Sequence, residues 1–167
     1  MAAMLTGCSA SEDQEYATPD SLCGVSVKSD HLTPFLPPGK KVSSQQSSPN
    51  GGADRCKISV DGNPVIIAGQ IWWDERDSVI NVANVHARVE PDHITDDKKY
   101  LYSGTGAVGR SDGCTDSEHP DQNLFTTIQV FTSEADDTPA MKSLIKKYTE
   151  EIEGSSACLS GQEASKG

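Results

Sequence analysis

Five widely spaced cysteines constrain this 167-residue chain more than any other feature of its sequence. They are Cys8, Cys23, Cys56, Cys114 and Cys158, and no two of them lie within ten residues of each other. Zinc ligands usually come in close pairs such as C-x-x-C, so this spacing argues against a metal site. Wide spacing suits long-range disulfides, which form in oxidising compartments outside the cytoplasm.

An odd number of cysteines leaves one without a disulfide partner, and Cys8 is the best candidate for a separate role. The other four allow three pairings. We favour Cys23–Cys56, which joins the start of the domain to the first predicted strand. Cys114–Cys158 then joins the end of the last predicted helix to a loop between the last strands. By the chain-entropy model each bridge contributes about 3–4 kcal/mol to stability.

The charge of the chain excludes some classes of partner. It carries 14 basic and 25 acidic residues, a net charge of −11. Such a field repels phosphate backbones and anionic lipid headgroups, so we expect no nucleic-acid partner. Only 35% of the residues are hydrophobic, which predicts a lean core. No apolar run approaches the roughly 20 residues that a transmembrane helix needs.

Alternating apolar and polar residues predict that an antiparallel sheet makes up most of the domain. Strands are predicted at residues 55–61, 65–73, 78–90, 100–108 and 124–132. The clearest alternation is that of residues 78–90, where valine and alanine face one way and polar side chains face the other. The polar, low-complexity run of residues 43–54 is predicted to be a mobile loop.

Three helices accompany the predicted strands. Asp20 is a plausible N-cap for a short helix, and residues 29–39 form a second short helix that prolines end. A longer helix is capped by Asp137 or Thr138 and ends at Gly154. Its apolar residues recur at helical spacing and are Met141, Leu144, Ile145, Tyr148 and Ile152. Together these elements predict an α+β fold with two disulfides, in which helices pack on one face of an antiparallel sheet of about five strands.

The first residues resemble a bacterial lipobox. In Leu5-Thr6-Gly7-Cys8, small residues precede a cysteine that would be diacylated and become the mature N-terminus. Residues 1–8 are too few to hold the basic and apolar regions of a complete signal, so we interpret them as a truncated signal with its lipobox. Residues 9–19 are then a polar tether, residues 20–160 a single α+β domain, and residues 161–167 a disordered tail.

With these features the chain resembles the small secreted lipoproteins of actinobacteria whose function is unassigned. The resemblance covers most of residues 8–160. It rests on the lipobox, Cys23-Gly24, Leu36-Pro37-Pro38-Gly39, Cys56 before a strand, Asp61-Gly62, and a cysteine just past the C-terminal helix. It implies a domain anchored through Cys8 to the outer face of the cytoplasmic membrane, and it offers no catalytic residues. We expect a monomer without a cofactor.

Two enzyme motifs overlap in the second half of the chain. The run Gly104-Thr105-Gly106-Ala107-Val108-Gly109 matches the dinucleotide fingerprint, but no βαβ unit surrounds it, so we interpret its glycines as part of a strand or bulge. The run Gly109-Arg110-Ser111-Asp112-Gly113 matches a nucleophile elbow. Ser111, with Asp116 and His119, therefore supports an alternative hypothesis of a small secreted serine hydrolase. The acidic residues of this loop lack the spacing of a calcium site.

Trp72 is the candidate binding residue. It and Trp73 are neighbours on a predicted strand, so their side chains face opposite sides of the sheet. An exposed Trp72 would anchor a ligand, whereas a covered one would only pack against the C-terminal helix. His86 is interpreted as an exposed surface residue. The preferred hypothesis is a non-catalytic binding or accessory domain for a protein, a cell-wall component or a small molecule. A purely structural envelope protein is a third possibility.

Overall fold

Strands account for most of the elements that this sequence forms. The computed structural model describes residues 13–132 and 134–158, so Cys8 and the tail predicted at residues 161–167 lie outside the described residues. The strands are β1 (Ser21–Leu22), β2 (Val25–Ser26), β3 (Val42–Asn50), β4 (Ala53–Val60), β5 (Asn63–Asp74), β6 (His93–Ile94), β7 (Tyr100–Tyr102), β8 (Gly106–Arg110) and β9 (Gln122–Val130).

Three α-helices accompany these strands, and residues 156–158 form a further helical turn after the third. Helix α1 (Ser29–Leu32) continues into a 3₁₀ turn (Thr33–Phe35), and α2 (Val79–Val82) continues into a π-helical turn (Ala83–Ala87). Helix α3 (Thr138–Glu153) is the longest of the three. None of these helices is long and apolar enough to cross a membrane.

Seven strands form one antiparallel sheet in the order β3-β4-β5-β9-β8-β7-β6, and β1 pairs with β2 in a separate hairpin. The prediction of about five strands is therefore wrong. Most of the stretch predicted as a loop at residues 43–54 belongs to β3, which pairs along β4. Nearly all of β3 is exposed at the edge of the sheet, so it carries no apolar alternation that would reveal a strand. At the opposite edge, β6 has only two residues.

The strand predicted at residues 78–90 is also wrong, because this segment is helical. The Ser78 hydroxyl caps α2 by accepting a hydrogen bond from the Asn81 amide. The buried residues Val79, Ala83 and Ala87 are four positions apart. A spacing of four fits one face of a strand and nearly fits one face of a helix, so this pattern does not distinguish the two.

Helices cover both faces of the sheet, which corrects the prediction of helices on one face. The neighbouring residues Leu124 and Phe125 of β9 point to opposite sides. Leu124 belongs to the larger core cluster, which includes the buried residues of α3. Phe125 packs instead with α2 and the π-helical turn. Two thin apolar layers therefore share the few hydrophobic residues of the chain.

The prediction of α3 is confirmed in its cap, its buried face and its end. The Asp137 carboxylate accepts a hydrogen bond from the Ala140 amide at 2.9 Å, and the helix ends before Gly154. The short helix predicted after Asp20 is wrong, because this segment forms the β1–β2 hairpin. Its turn places Cys23 and Gly24 at positive φ, a conformation typical of tight hairpin turns.

The glycine-rich motif lies in and around β8, where it permits close packing. A Cβ atom on Gly106 would come within 2.8 Å of Val89, and one on Gly109 within 2.4 Å of the Thr149 hydroxyl. These glycines therefore let the segment after the π-helical turn and α3 approach β8 from its two sides. The structure supports the strand interpretation of this motif.

Both disulfides have the pairings favoured from the sequence. Cys23–Cys56 joins the turn of the β1–β2 hairpin to β4, and Cys114–Cys158 joins the segment after β8 to the turn after α3. Cys56, Cys114 and Cys158 are buried in the larger core cluster. The first bridge therefore ties the separate hairpin to the α3 side of the core, and the second ties the β8–β9 loop to it.

Candidate functional site

A cleft of about 440 Å³ lies at one end of the sheet. The β3–β4 turn (residues 51–52) forms one wall, and the β8–β9 loop (residues 111–121) forms the other. Its floor includes the ends of β5 and β9. The side chains that matter for its chemistry are Asp54, Gln70, Trp72, Asp116 and His119.

Trp72 lies partly in the core and partly in the cleft. Its ring stacks on the His119 ring, with centroids 5.4 Å apart and planes only 5° from parallel. It also packs against the larger core cluster on the α3 side, and its backbone amide donates to the Gly52 carbonyl at 2.8 Å. Trp72 therefore packs against the core and also lines the cleft.

Trp73 has a different role on the opposite face of the sheet. Its indole Nε1 donates to Asp77 at 2.6 Å, and its ring meets the His86 ring edge-on with centroids 4.2 Å apart. His86 is therefore partly covered, which corrects its interpretation as a free surface residue. Burial lowers the pKa of His86, and the nearby Arg55 charge acts in the same direction.

His119 connects the two walls of the cleft. Its Nδ1 lies 2.9 Å from Asp116 Oδ2, and its Nε2 lies 2.9 Å from the Gly51 carbonyl oxygen. An ionised carboxylate and a backbone carbonyl are both acceptors, and a neutral imidazole can donate from only one of its nitrogens. Both hydrogen bonds therefore require the imidazolium form of His119. We call this arrangement the His119 bridge.

The pKa values of the bridge residues shift in the directions that this geometry demands. The hydrogen bond to Asp116 is the main cause that raises the pKa of His119 above its usual value. Partial burial lowers this pKa, and the hydrogen bond to the Gly51 carbonyl raises it further. The same hydrogen bond from His119 holds the pKa of Asp116 below its usual range. The paired charges favour each other, so His119 keeps its proton to a higher pH than a free histidine does.

A covalent bond and a partly buried cation position the β8–β9 loop. Cys114–Cys158 holds it against the turn after α3. Lys99 Nζ lies 2.6 Å from the Asp112 carboxylate and 2.8 Å from the Glu153 carboxylate. Burial opposes the charge of Lys99, whose side chain is 17% exposed, but these two hydrogen bonds raise its pKa well above the ordinary value. The loop is therefore anchored before the chain reaches Asp116.

Side chains of the β3–β4 hairpin fix the other wall. The Ser48 hydroxyl donates to the Asp54 carboxylate at 2.5 Å, across the two strands. The Asn50 side-chain oxygen accepts from the Gly52 amide at 3.1 Å, which closes the turn. The Gly51 carbonyl that meets His119 is thus held by hydrogen bonds on both strands of the hairpin.

Ser111 does not occupy the position that a nucleophile needs. Its side chain is buried, and its hydroxyl donates to the Leu124 carbonyl at 2.6 Å. A loop follows it rather than the helix of a nucleophile elbow. His119 makes its hydrogen bonds to Asp116 and Gly51 instead of to Ser111. The structure brings Asp116 and His119 together and gives the hydrolase hypothesis no support.

The acidic residues of the β8–β9 loop do not converge. Within residues 13–132 and 134–158, no group of three or more His, Cys, Asp or Glu side chains is arranged to hold a metal ion. Asp112 is used in the ion pair with Lys99, and Asp116 in the His119 bridge. Asp112 and Asp116 thus have charged partners within the domain itself.

The β3–β4 hairpin, which forms the second wall of the cleft, is absent from the elements predicted from the sequence. The run Asn50-Gly51-Gly52 contains Asn-Gly, the dipeptide typical of tight hairpin turns. That signal was available, but the surrounding serines and glutamines outweighed it. Without the hairpin, neither Asp54 nor the Gly51 carbonyl could be placed near Trp72.

No protein-family model, curated protein or solved structure matches this chain. Function must therefore be inferred from its own residues. A concave surface with an aromatic ring and a few convergent polar groups is the usual form of a small-molecule site. The cleft around Trp72 and His119 is the feature of the described chain that fits this form.

The His119 bridge predicts how stability depends on pH. Because the folded pKa of His119 is raised, its contribution is complete below the unfolded value of about 6.5 and is lost as pH rises through the folded pKa. We expect His119→Gln to lower the unfolding free energy most below that pH and progressively less above it. Urea unfolding between about pH 5.5 and 9 measures this difference.

Asp116→Asn is the matched variant, because it removes the carboxylate and leaves the imidazole. It should reproduce the pH dependence of His119→Gln over the same range. The loss of unfolding free energy in each variant, relative to the unmodified protein, should shrink as pH rises. If this loss is constant or grows with pH, His119 is not held as an imidazolium.

Proposed function

We propose that this protein is a non-catalytic lipoprotein, anchored through Cys8 to the outer face of the cytoplasmic membrane, whose domain binds a ligand in the cleft around Trp72. The observation that carries the binding proposal is the Trp72–His119 stack, because it places an aromatic surface between two fixed polar walls. The anchoring proposal is supported by the cysteine pairing. Four of the five cysteines form disulfides, which leaves Cys8 for acylation.

Several properties support a location outside the cytoplasm. Two disulfides in so small a domain are typical of proteins exposed to oxidising conditions. The core is divided into two thin layers, so covalent links supply a large share of the stability. The polar residues that follow Cys8 suit a tether between a membrane and a domain.

The chemistry of the cleft favours an uncharged or cationic ligand rich in hydroxyl groups. Asp54 and Asp116 offer carboxylate acceptors, Gln70 offers an amide, and Trp72 offers an apolar ring. The net charge of −11 repels anions. The volume lies within the range of about 300–1,000 Å³ that is usual for small-molecule sites. A saccharide fragment of the cell wall has both the hydroxyl groups and the apolar faces that this lining suits.

Binding rather than catalysis is the function that the state of His119 favours. An imidazolium with both N–H groups engaged has no lone pair with which to accept a proton. His119 therefore acts in the cleft as a fixed cation and as a stacking partner. This use of its ring explains why a histidine beside an aspartate need not indicate general base catalysis.

Acylation of Cys8 is the first prediction of this proposal. In cells that produce the full-length protein, we expect mass spectrometry of the membrane fraction to find a diacylglyceryl group on Cys8. Cys8→Ser should release the protein from the membrane with both disulfides intact, because the lipid needs a thiol. An unmodified Cys8 thiol in the native protein would contradict the anchor.

The second prediction concerns Trp72, with Trp73 as its matched control on the opposite face of the sheet. Calorimetric titration with soluble, uncharged oligosaccharides of N-acetylglucosamine, the neutral sugar of the cell wall, tests the binding. Trp72→Leu should weaken binding by about tenfold or more, as expected for an aromatic anchor. Trp73→Leu should leave the affinity unchanged. Equal effects of the two substitutions, or no binding by the unmodified protein, would refute the proposed ligand site.

A further inference from the structure

A second concave surface lies at the other end of the sheet, lined by apolar side chains together with Thr132 and Glu134. Its volume is about 450 Å³, and we call it the proline groove. The residues that give it its apolar character are Pro34, Leu36, Pro37, Pro38, Phe131 and Ala135. None of them takes part in the cleft around Trp72.

The proline groove presents an apolar surface that is rigid. Phe131 directly follows β9 and is 53% exposed, although its backbone amide is fixed by a hydrogen bond to the Val65 carbonyl at 3.0 Å. Proline rings lock their φ angles and lose little entropy on binding. This surface can therefore receive an apolar partner without first rearranging.

The tether enters the domain beside this groove. Gln14 forms a parallel bridge with Gly39, and the Glu15 amide donates to the Gly39 carbonyl at 2.8 Å. The Tyr16 hydroxyl donates to the Pro37 carbonyl at 2.5 Å. These bonds fix the start of the described chain against the proline-rich segment. Since Cys8 precedes Gln14 by six residues, the chain between them spans at most about 20 Å.

We propose that the proline groove is a membrane-facing surface that docks onto the lipid bilayer. This proposal rests on the proposed acylation of Cys8. A lipid at Cys8 keeps the Gln14 face within about 20 Å of the headgroups, and the groove, which Tyr16 contacts through Pro37, lies on this face. Phe, Trp and Leu are the side chains typical of the lipid-facing side of segments that lie in the membrane interface. The occupant of the groove is therefore lipid.

The charge of the domain determines which force drives this docking. With a net charge of −11, the protein is not drawn to anionic headgroups, so apolar contact must supply the attraction. Contact by a few apolar side chains is weak on its own. The anchor raises the local concentration of the groove at the bilayer, so even a weak apolar contact is occupied much of the time.

Docking through this groove would orient the ligand cleft away from the membrane. Strand β9 runs from Leu124 in the cleft to Val130, just before Phe131 in the groove. At about 3.4 Å per residue, Leu124 and Phe131 are about 24 Å apart. Strand β3 likewise begins near Gly39 and ends at Asn50 in the cleft. The cleft thus faces the cell wall when the groove faces lipid.

Tryptophan substitution on the full chain tests this surface. Cys8, which takes part in neither disulfide, is coupled to a maleimide lipid in phosphatidylcholine vesicles with brominated acyl chains, which quench nearby indoles. The variants are Phe131→Trp and Glu134→Trp in the groove, and Val85→Trp as the control. Val85 is suited to this role because it is 64% exposed and lies outside the groove. Emission of the unmodified coupled protein is subtracted to remove Trp72 and Trp73.

We expect the emission added by Phe131→Trp and Glu134→Trp to shift to the blue and to be lost in the brominated vesicles. The emission added by Val85→Trp should remain unchanged, and uncoupled protein should show no effect. Two groove positions are used so that a folding defect in one variant, visible by circular dichroism, leaves the other as a reporter.

Unquenched emission at the groove positions, or equal quenching of Val85→Trp, would overturn the membrane-facing surface. Either result would leave acylation of Cys8 standing, because the coupling in this experiment is chemical. An unmodified Cys8 thiol in cells would instead overturn the anchor itself.

Discussion

The bond between Cys114 and Cys158 is the constraint on which the candidate site depends. It ties the β8–β9 loop to the turn after α3, and the ion pairs of Lys99 with Asp112 and Glu153 hold the same loop a few residues earlier. The chain needs only two further residues after Cys114 to reach Asp116. One wall of the cleft is therefore part of the covalent frame, although it contains no strand or helix of its own.

The opposite wall comes from an edge hairpin, and an electrostatic contact joins the two. His119 can satisfy Asp116 and the Gly51 carbonyl together only as a cation, so the state of the cleft is coupled to pH. Trp72 provides the other connection, because its ring stacks on His119 and packs against the α3 core. Trp72 thus contributes to the core and to the wall of the cleft with one side chain, which is how a domain with so few aromatic residues can still line a cleft with an aromatic ring.

The parts of the fold with strong local signals were predictable from the sequence. Helix α3 has an aspartate cap and regular apolar spacing, and the cysteine pairing followed from the placement of elements around it. Strand β3 was not predictable by alternation because both of its faces meet solvent. Residues 78–90 were mistaken for a strand because Val79, Ala83 and Ala87 repeat every four residues. This spacing fits one face of a strand and nearly fits one face of a helix. Trp72 was identified, but its partner His119 acquires its role only through the missed hairpin.

Disulfide mapping of the native protein tests the covalent frame most directly. Peptides prepared without reduction should contain Cys23 linked to Cys56 and Cys114 linked to Cys158, with Cys8 in neither bridge. That result would leave Cys8 free for the anchor and fix the β8–β9 loop beside the cleft. Cys23 linked to Cys114 or to Cys158 would contradict the account, because the loop that carries Asp116 and His119 would then be held elsewhere.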